Sequence, residues 1–345
     1  SKARVIDKEN GGRELALPFG DKIPFEFAEE VVAVGNSANA AVAAARLGLS
    51  SGLVVNVGKD RDGEKCITQL NLENVSTAFV KEYEGKKTNY HYVLWYKDER
   101  TILIKHETFD YTLPDIGSGA TAPKCMYLSS ISENALPYHD VLADYLEANP
   151  EVKLIFQPGT FQIKWGTDAL KRIYKRTDVF FCNVEEAERI LGTKQELINK
   201  DHMDAALLPP NPNGAPNHSA PFIKGLLDGL RALGPKLPII TDGPNGAYTY
   251  ASDEATLNFD KIIHLGIYPD IAPPYERTGA GDAFASTFSA AYLLGNSTAT
   301  SLKWGSINSM NVCQHVGAQK GLLKRADIEG YLAKAPAGWD IQVLG

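Results

Sequence analysis

No apolar run in the 345-residue chain approaches the roughly 20 residues that a membrane-spanning helix needs. The opening residues, Ser1 to Glu14, are polar and charged and hold no signal-peptide core. Both features point to a cytoplasmic protein without membrane contact. Cysteine is scarce: Cys66, Cys125, Cys182 and Cys313 stand far apart with no CxxC pair. That spacing argues against a zinc ribbon or a disulfide framework and for reduced thiols. The seven histidines form neither an HExxH pair nor a Cys/His cluster, so a zinc site is not expected. No GxxxxGKS or GxxxxGKT stretch exists, which excludes a P-loop mechanism on motif grounds. Positive charge is in deficit, with 35 Lys and Arg against 42 Asp and Glu and a net charge of −7. A broad nucleic-acid surface is therefore not expected, and an anionic ligand needs a local positive site made by dipoles.

What is present is an ordinary globular composition, with 44% hydrophobic and 22% charged residues. That balance suits one large core rather than disorder or coiled coil. From about residue 123, short apolar runs alternate with amphipathic stretches, the pattern of a mainly parallel α/β sheet. Strands are read at 125–129, 152–156, 178–182 and 237–241. Helices are read at 141–148, 167–176, 185–191 and 223–233, as right-handed crossovers.

The earlier part differs. Thr88 to Tyr96 alternates into the charged turn 97–100, and Thr101 to His106 follows as a second apolar run, which predicts a β-hairpin. Tyr90, Tyr92 and Tyr96 fall on one face, His91 and Trp95 on the other, so something must cover both sides. A lid, a dimer surface and a plain edge extension all remain open. The Pro/Asn/Gly stretch at 207–216 reads as a surface excursion without function. Gly117-Ser118-Gly119-Ala120-Thr121-Ala122 imitates a dinucleotide fingerprint but precedes a strand, so it reads as a flexible loop.

The sharpest chemical signal is Thr278-Gly279-Ala280-Gly281-Asp282-Ala283-Phe284, a glycine-rich turn opening a small-residue helix. Small residues at Gly279, Ala280 and Gly281 admit a ligand close to the backbone. The unpaired N–H groups of a first helical turn make an anion site there. Asp282 in the same turn sits where the helix dipole favours an ionised carboxylate, able to take a proton from an attacking hydroxyl. The plainer alternative makes Asp282 a helix-start acid and the glycines a tight turn.

This signature resembles that of the ribokinase family, the phosphofructokinase-B-like carbohydrate and nucleoside kinases, and four further segments agree in order. Val34-Gly35-Asn36-Ser37-Ala38-Asn39 resembles the segment whose glycine and asparagine contact the acceptor, here Gly35 and Asn39. Val57-Gly58-Lys59-Asp60 with Gly63 resembles the block that places Asp60 on the acceptor side. Asn183-Val184-Glu185-Glu186 resembles the motif tied to magnesium and phosphate, with Glu186 acting on Mg²⁺ through water. Thr241-Asp242-Gly243-Pro244-Asn245-Gly246 resembles the loop that cradles nucleotide phosphates, through Thr241, Gly243 and Gly246. The resemblance implies a single ribokinase-like α/β domain over residues 1–345, a three-layer sandwich with a small β lid from about 8–34 and 76–110. It further implies an ATP- and Mg²⁺-dependent kinase acting on a hydroxyl of a sugar, or alternatively a nucleoside, and a homodimer through the lid. Asp282 is then the base, with Gly279, Ala280 and Gly281 stabilising developing charge. Asn308 is read as flanking the adenine.

Four departures are visible. Glu276-Arg277 stands where relatives have Asp-Thr in a loop framing a monovalent cation, leaving that cation an open requirement; Arg277 either meets transferred phosphate or makes a surface salt bridge. Val34 replaces the first glycine of the acceptor segment. The strand ending in Gly-Asp with which relatives open finds no counterpart. Gln157-Pro158-Gly159-Thr160-Phe161-Gln162 replaces the family's Asp-Pro-Asn segment, and Gln157 and Gln162 either bind sugar hydroxyls or cap a helix. A non-catalytic sugar- or nucleotide-binding regulator is the rival of another class, and Asp282 argues against it, because a binding protein needs no base.

Overall fold

In the computed structural model, residues 3–8, 12–96, 99–193, 218–253 and 256–344 are described. The chain opens on an exposed antiparallel hairpin of β1 (Arg4–Asp7) and β2 (Arg13–Ala16). An alternating stretch follows: α1 (Asn36–Arg46), β3 (Ser51–Gly52), β4 (Val55–Gly58), α2 (Arg61–Leu72), β5 (Val75–Ser76) and β6 (Val80–Tyr83). β3 pairs with β5 and β4 with β6, both in parallel. The predicted hairpin is present as β7 (Tyr90–Tyr96) and β8 (Glu99–Lys105). Pairing runs to Trp95–Arg100 and Tyr96–Glu99, so half of the expected four-residue turn belongs to β8.

The remaining elements are β9 (Cys125–Leu128), α3 (Leu136–Ala148), β10 (Lys153–Phe156), α4 (Thr160–Ala169), α5 (Lys171–Arg176), β11 (Thr177–Asn183), α6 (Val184–Leu191), α7 (Ala220–Ala232), β12 (Leu237–Thr241), β13 (Ala247–Asp253), β14 (Thr256–Leu265), α8 (Ala280–Leu293), α9 (Thr298–Val312), α10 (Arg325–Ala333) and β15 (Gln342–Leu344). The central sheet runs in the order β15-β14-β13-β12-β11-β10-β9. Its parallel half, β9 to β12, consists of the four strands expected from the apolar runs. The antiparallel half, β13 to β15, is a finding of the structure.

Three expectations change. The helix read over 167–176 is broken at Leu170 (φ −107°, ψ 17°), which separates α4 from α5, and α4 is itself kinked at Gly166, whose φ of 84° and ψ of 170° form a conformation open to glycine. The lid is not one sheet: β1–β2 and β7–β8 are separate hairpins, and β2 is the only described strand within 8–34. Pro18 and Pro24 remove two of the donors a strand there would need. Gly119–Thr121 forms a 3-10 turn in which the Ser118 and Thr121 side chains bond each other's backbone, so the dinucleotide imitation is a structured turn. The insertion at 207–216 lies outside the described residues.

β9 pairs with β10 on one edge and with no described strand on the other, and β4 pairs with β6. A cleft of about 2490 Å³ opens there, walled by α1, β4, β9 and α8. α1 packs on α8 and α8 on α9 through buried small residues such as Ala41, Ala43, Ala283 and Ala291. This close packing brings the N-termini of α1 and α8 together beside the carboxyl ends of the parallel strands, the edge at which open α/β sheets bind ligands.

Candidate active site

The turn into α8 rests on Gly279, whose φ of 81° lies in the left-handed region. A Cβ there would come within 2.3 Å of Ala318 Cβ, so the turn is pressed against the Gly317–Ala318 loop. No side chain caps α8; Ala280 N donates to Arg277 O at 3.3 Å, and the next two N–H groups, of Gly281 and Asp282, have no backbone acceptor among the described residues. A Cβ on Gly281 would meet nothing within 4 Å, and Thr278 Oγ1 is buried without a hydrogen-bond partner. Open space over bare N–H groups, with an orphaned hydroxyl beside them, fits a phosphoryl oxyanion.

Asp282 lies in that first turn and its carboxylate receives three carboxamides. Asn36 Nδ2 donates to Oδ1 at 3.1 Å, Gln157 Nε2 donates to Oδ1 at 3.4 Å, and Asn39 Nδ2 donates to Oδ2 at 2.9 Å. Burial pushes the carboxyl above the usual aspartate range, against the pull of the Asn39, Gln157 and Asn36 amides. A carboxylate oxygen offers about two acceptor positions, so Oδ1 is filled and Oδ2 keeps one lone pair for an incoming proton.

On the neighbouring strands, Asn183 and Thr241 are register partners at the carboxyl ends of β11 and β12. Asn183 Oδ1 accepts from Glu186 N at 2.8 Å and Glu186 Oε2 accepts from Asn183 N at 2.9 Å, a reciprocal cap on α6. Burial raises the Glu186 carboxyl, opposed by the Asn183 N–H. The following loop turns at Gly243, where a Cβ would meet open space, and at Gly246, where φ is 95° and a Cβ would fall 1.9 Å from Leu265 O. His264 Nε2 lies 2.7 Å from Asn245 O beneath the loop.

Three assignments change. Asn308 is fully buried: its Nδ2 donates to Thr287 Oγ1 at 2.6 Å and its Oδ1 accepts from Leu323 N at 2.9 Å, so the side chain joins α9 to α8 and has no face toward a nucleotide. Asp60 caps α2 by accepting from Gly63 N and accepts from Thr88 Oγ1 and N, so both oxygens anchor the base of the β7–β8 hairpin instead of an acceptor. Desolvation opposes ionisation there, yet the Thr88 and Gly63 bonds carry the carboxyl below its usual range. Gln157 turns onto Asp282, with its Oε1 accepting from Tyr127 OH, and so supports the base. Gln162 takes the capping alternative: its Oε1 accepts from Gly159 N at 2.7 Å.

Gly35, Asn39, Arg277, Gly279 and Asp282 meet on the cleft wall. Asn183, Glu186, Thr241, Gly243 and Gly246 stand beyond that wall at the strand ends. Arg277 is exposed at the cleft rim just before the turn. Sequence reasoning missed Asn36, Tyr127 and Gln319; the Asn36 position was legible one residue after Gly35, whereas the other two carry no local signal. Among the described residues no three His, Cys, Asp or Glu side chains converge on one point.

A profile of the pfkB family carbohydrate kinases matches residues 26–325. The chain belongs to this family. As a pfkB-family protein it is a phosphotransferase with an alcohol group as acceptor, of the sugar and nucleoside kinase class. It is similar to the ribokinase of Bacillus subtilis, 26% identical over 306 residues that cover 88% of this chain and 89% of the relative. Relatives at 22% identity are named nucleoside kinase, from Methanothermobacter thermautotrophicus, and 5-dehydro-2-deoxygluconokinase, from Bacillus velezensis. Ribokinase of Arabidopsis thaliana complexed with ribose and ATP shares the fold at a TM-score of 0.66 and 19% identity, covering 96% of each chain. A ribokinase II of E. coli in complex with ATP and Mg²⁺ has the same TM-score at 18% identity, covering 92% of this chain and 93% of that one. No helix among the described residues is long and apolar enough to cross a membrane.

Proposed function

We propose that this pfkB-family chain uses ATP and Mg²⁺ to phosphorylate a hydroxyl of a sugar, with Asp282 as general base. The observation that carries the reading is the Asp282 carboxylate, aimed by three amides beside an uncapped glycine turn. Asp282 Oδ2 takes the proton of the acceptor hydroxyl as that oxygen attacks the terminal phosphorus of the donor nucleotide, whose bond to the bridging oxygen breaks and releases the nucleoside diphosphate. The N–H groups of Gly279, Ala280 and Gly281 face the charge that builds on the phosphoryl oxygens. Thr241, Gly243 and Gly246 hold the remaining phosphates, and Arg277 approaches the transferred group from the rim. Glu186 would hold Mg²⁺ through water, and the ion would supply neutralisation of phosphate charge.

The acceptor wall is dense in hydrogen-bonding groups, since Ser37 and Ser129 join Asn36 and Asn39, and this favours a polyol. A nucleoside is the second reading, favoured by Trp95 with Phe27 and Tyr275 beside it at the cleft mouth, where aromatic rings stack on a base. The test is nucleoside-diphosphate release with ATP, Mg²⁺ and a panel of pentoses, hexoses, keto-sugars and nucleosides, with and without K⁺. Acceptor-dependent release is expected, and Asp282→Asn should lower it by about 10²- to 10⁴-fold while nucleotide binding persists. Unchanged turnover in the variant overturns the role of the base.

A further inference from the structure

A carboxamide is nearly symmetric in shape and opposite in polarity at its two ends, so an amide beside a carboxylate helps only when its NH₂ end faces it. The partners at the other end decide the orientation. Gln319 Nε2 donates to the backbone carbonyl of Ala33 at 2.7 Å, and a carbonyl only accepts, so the Gln319 amide is fixed. The same Nε2 donates to Asn39 Oδ1 at 3.1 Å, and Gly35 N approaches that oxygen at 3.4 Å. Asn39 therefore has its oxygen held by two donors and its Nδ2 turned to Asp282. On the opposite side the Tyr127 hydroxyl donates to Gln157 Oε1, which turns Gln157 Nε2 to Asp282.

We propose that Gln319 and Tyr127 are positioning residues, which set the polarity of the Asn39 and Gln157 amides and thereby keep the Asp282 carboxylate ionised and aimed. The inference rests on the general-base reading of Asp282. Few titratable groups face that carboxylate. α1 and the end of β10 present only amides to it. Arg46 and Lys153 stand at the far ends of those two elements, and Asp282 and Tyr292 are the only ionisable residues of α8. The Tyr127 phenol from β9 stays protonated and so able to donate to Gln157 Oε1, because burial and the Asp282 charge both raise its pKa. The balance on Asp282 is thus burial against oriented amides, and an amide free to rotate withdraws one stabilising donor.

The experiment uses Tyr127→Phe and Gln319→Met, which change hydrogen bonding with little change of volume and act on different amides. The Asp282 ionisation is followed by carboxyl ¹³C NMR titration of the nucleotide-free protein, assigned by its loss in Asp282→Asn, and the acid limb of kcat against pH is recorded with the acceptor found in the panel. Each variant should move the Asp282 midpoint upward by about one pH unit, the scale of a lost bond to a charged group. In a Gln157→Met background, Tyr127→Phe should add no further shift. A midpoint unmoved in the folded variants overturns the proposal, and so does an added shift in that background. The NMR midpoint needs no turnover, so it decides the positioning role even if the whole acceptor panel is silent and the kinase reading fails.

Discussion

The Asn308 carboxamide ties three parts of the fold together: α9, on which it sits, Thr287 of α8, and the backbone of Leu323 ahead of α10. Truncation strands a buried hydroxyl and a buried N–H, each costing about 1–3 kcal/mol when unsatisfied. Asn308→Ala should therefore lower stability by about 2 kcal/mol or more in chemical denaturation while the KM for ATP stays near the native value. A large rise in that KM without loss of stability would return Asn308 to the nucleotide. The residue shows how register alone misleads: its place near the end of the motif series suggested a ligand contact, and only its burial reveals an internal strut. Asp282 is the opposite case, since the acid closing the Gly279-Ala280-Gly281 turn was legible from the string, and the base role proposed for it is what the Asp282→Asn assay decides.

At the scale of elements, the hairpin β7–β8 hangs from the body through Asp60. That carboxylate receives Gly63 N at the start of α2 and Thr88 Oγ1 at 2.7 Å just before β7, so one side chain fixes both a helix start and the root of the hairpin. The body-facing side of β7 is covered where Trp95 packs on Phe27 and Tyr275, with ring centroids 5.6 and 6.2 Å apart. Asp60→Ala should cost about 1 kcal/mol as a lost helix cap. It should also speed amide hydrogen exchange at Thr88 and in β7 relative to β10 and β11. Equal protection across these strands would remove Asp60 from the role of hairpin anchor. The family resemblance led to an acceptor contact here because a motif records which residue recurs, whereas its partner Thr88 lies 28 positions away.

Across the whole molecule, the outer face of the hairpin presents Tyr92 at 63% and Leu103 at 52% exposure, cross-strand partners on one side of the ribbon. Large apolar groups side by side on a two-stranded sheet favour burial against another surface. We expect a second copy of the chain to supply it, in a dimer whose hairpins meet face to face. Leu103→Lys should halve the mass measured by sedimentation at micromolar concentration. A native chain that sediments as a monomer, or a variant whose mass is unchanged, would exclude this face as the contact.

The amino-acid sequence by itself determined the parallel half of the sheet, the hairpin, the glycine turn and the acid beside it. These depend on alternation, helical spacing and backbone freedom, all of which act over a few neighbouring residues. Tertiary structure alone decided what surrounds Asp282. Its amide donors come from 246, 243 and 125 positions away, and two of them, Asn39 and Gln157, meet Gln319 and Tyr127 at their oxygen ends. A carboxamide reads the same in a sequence whichever end faces a carboxylate, and only the groups packed around it select between the two.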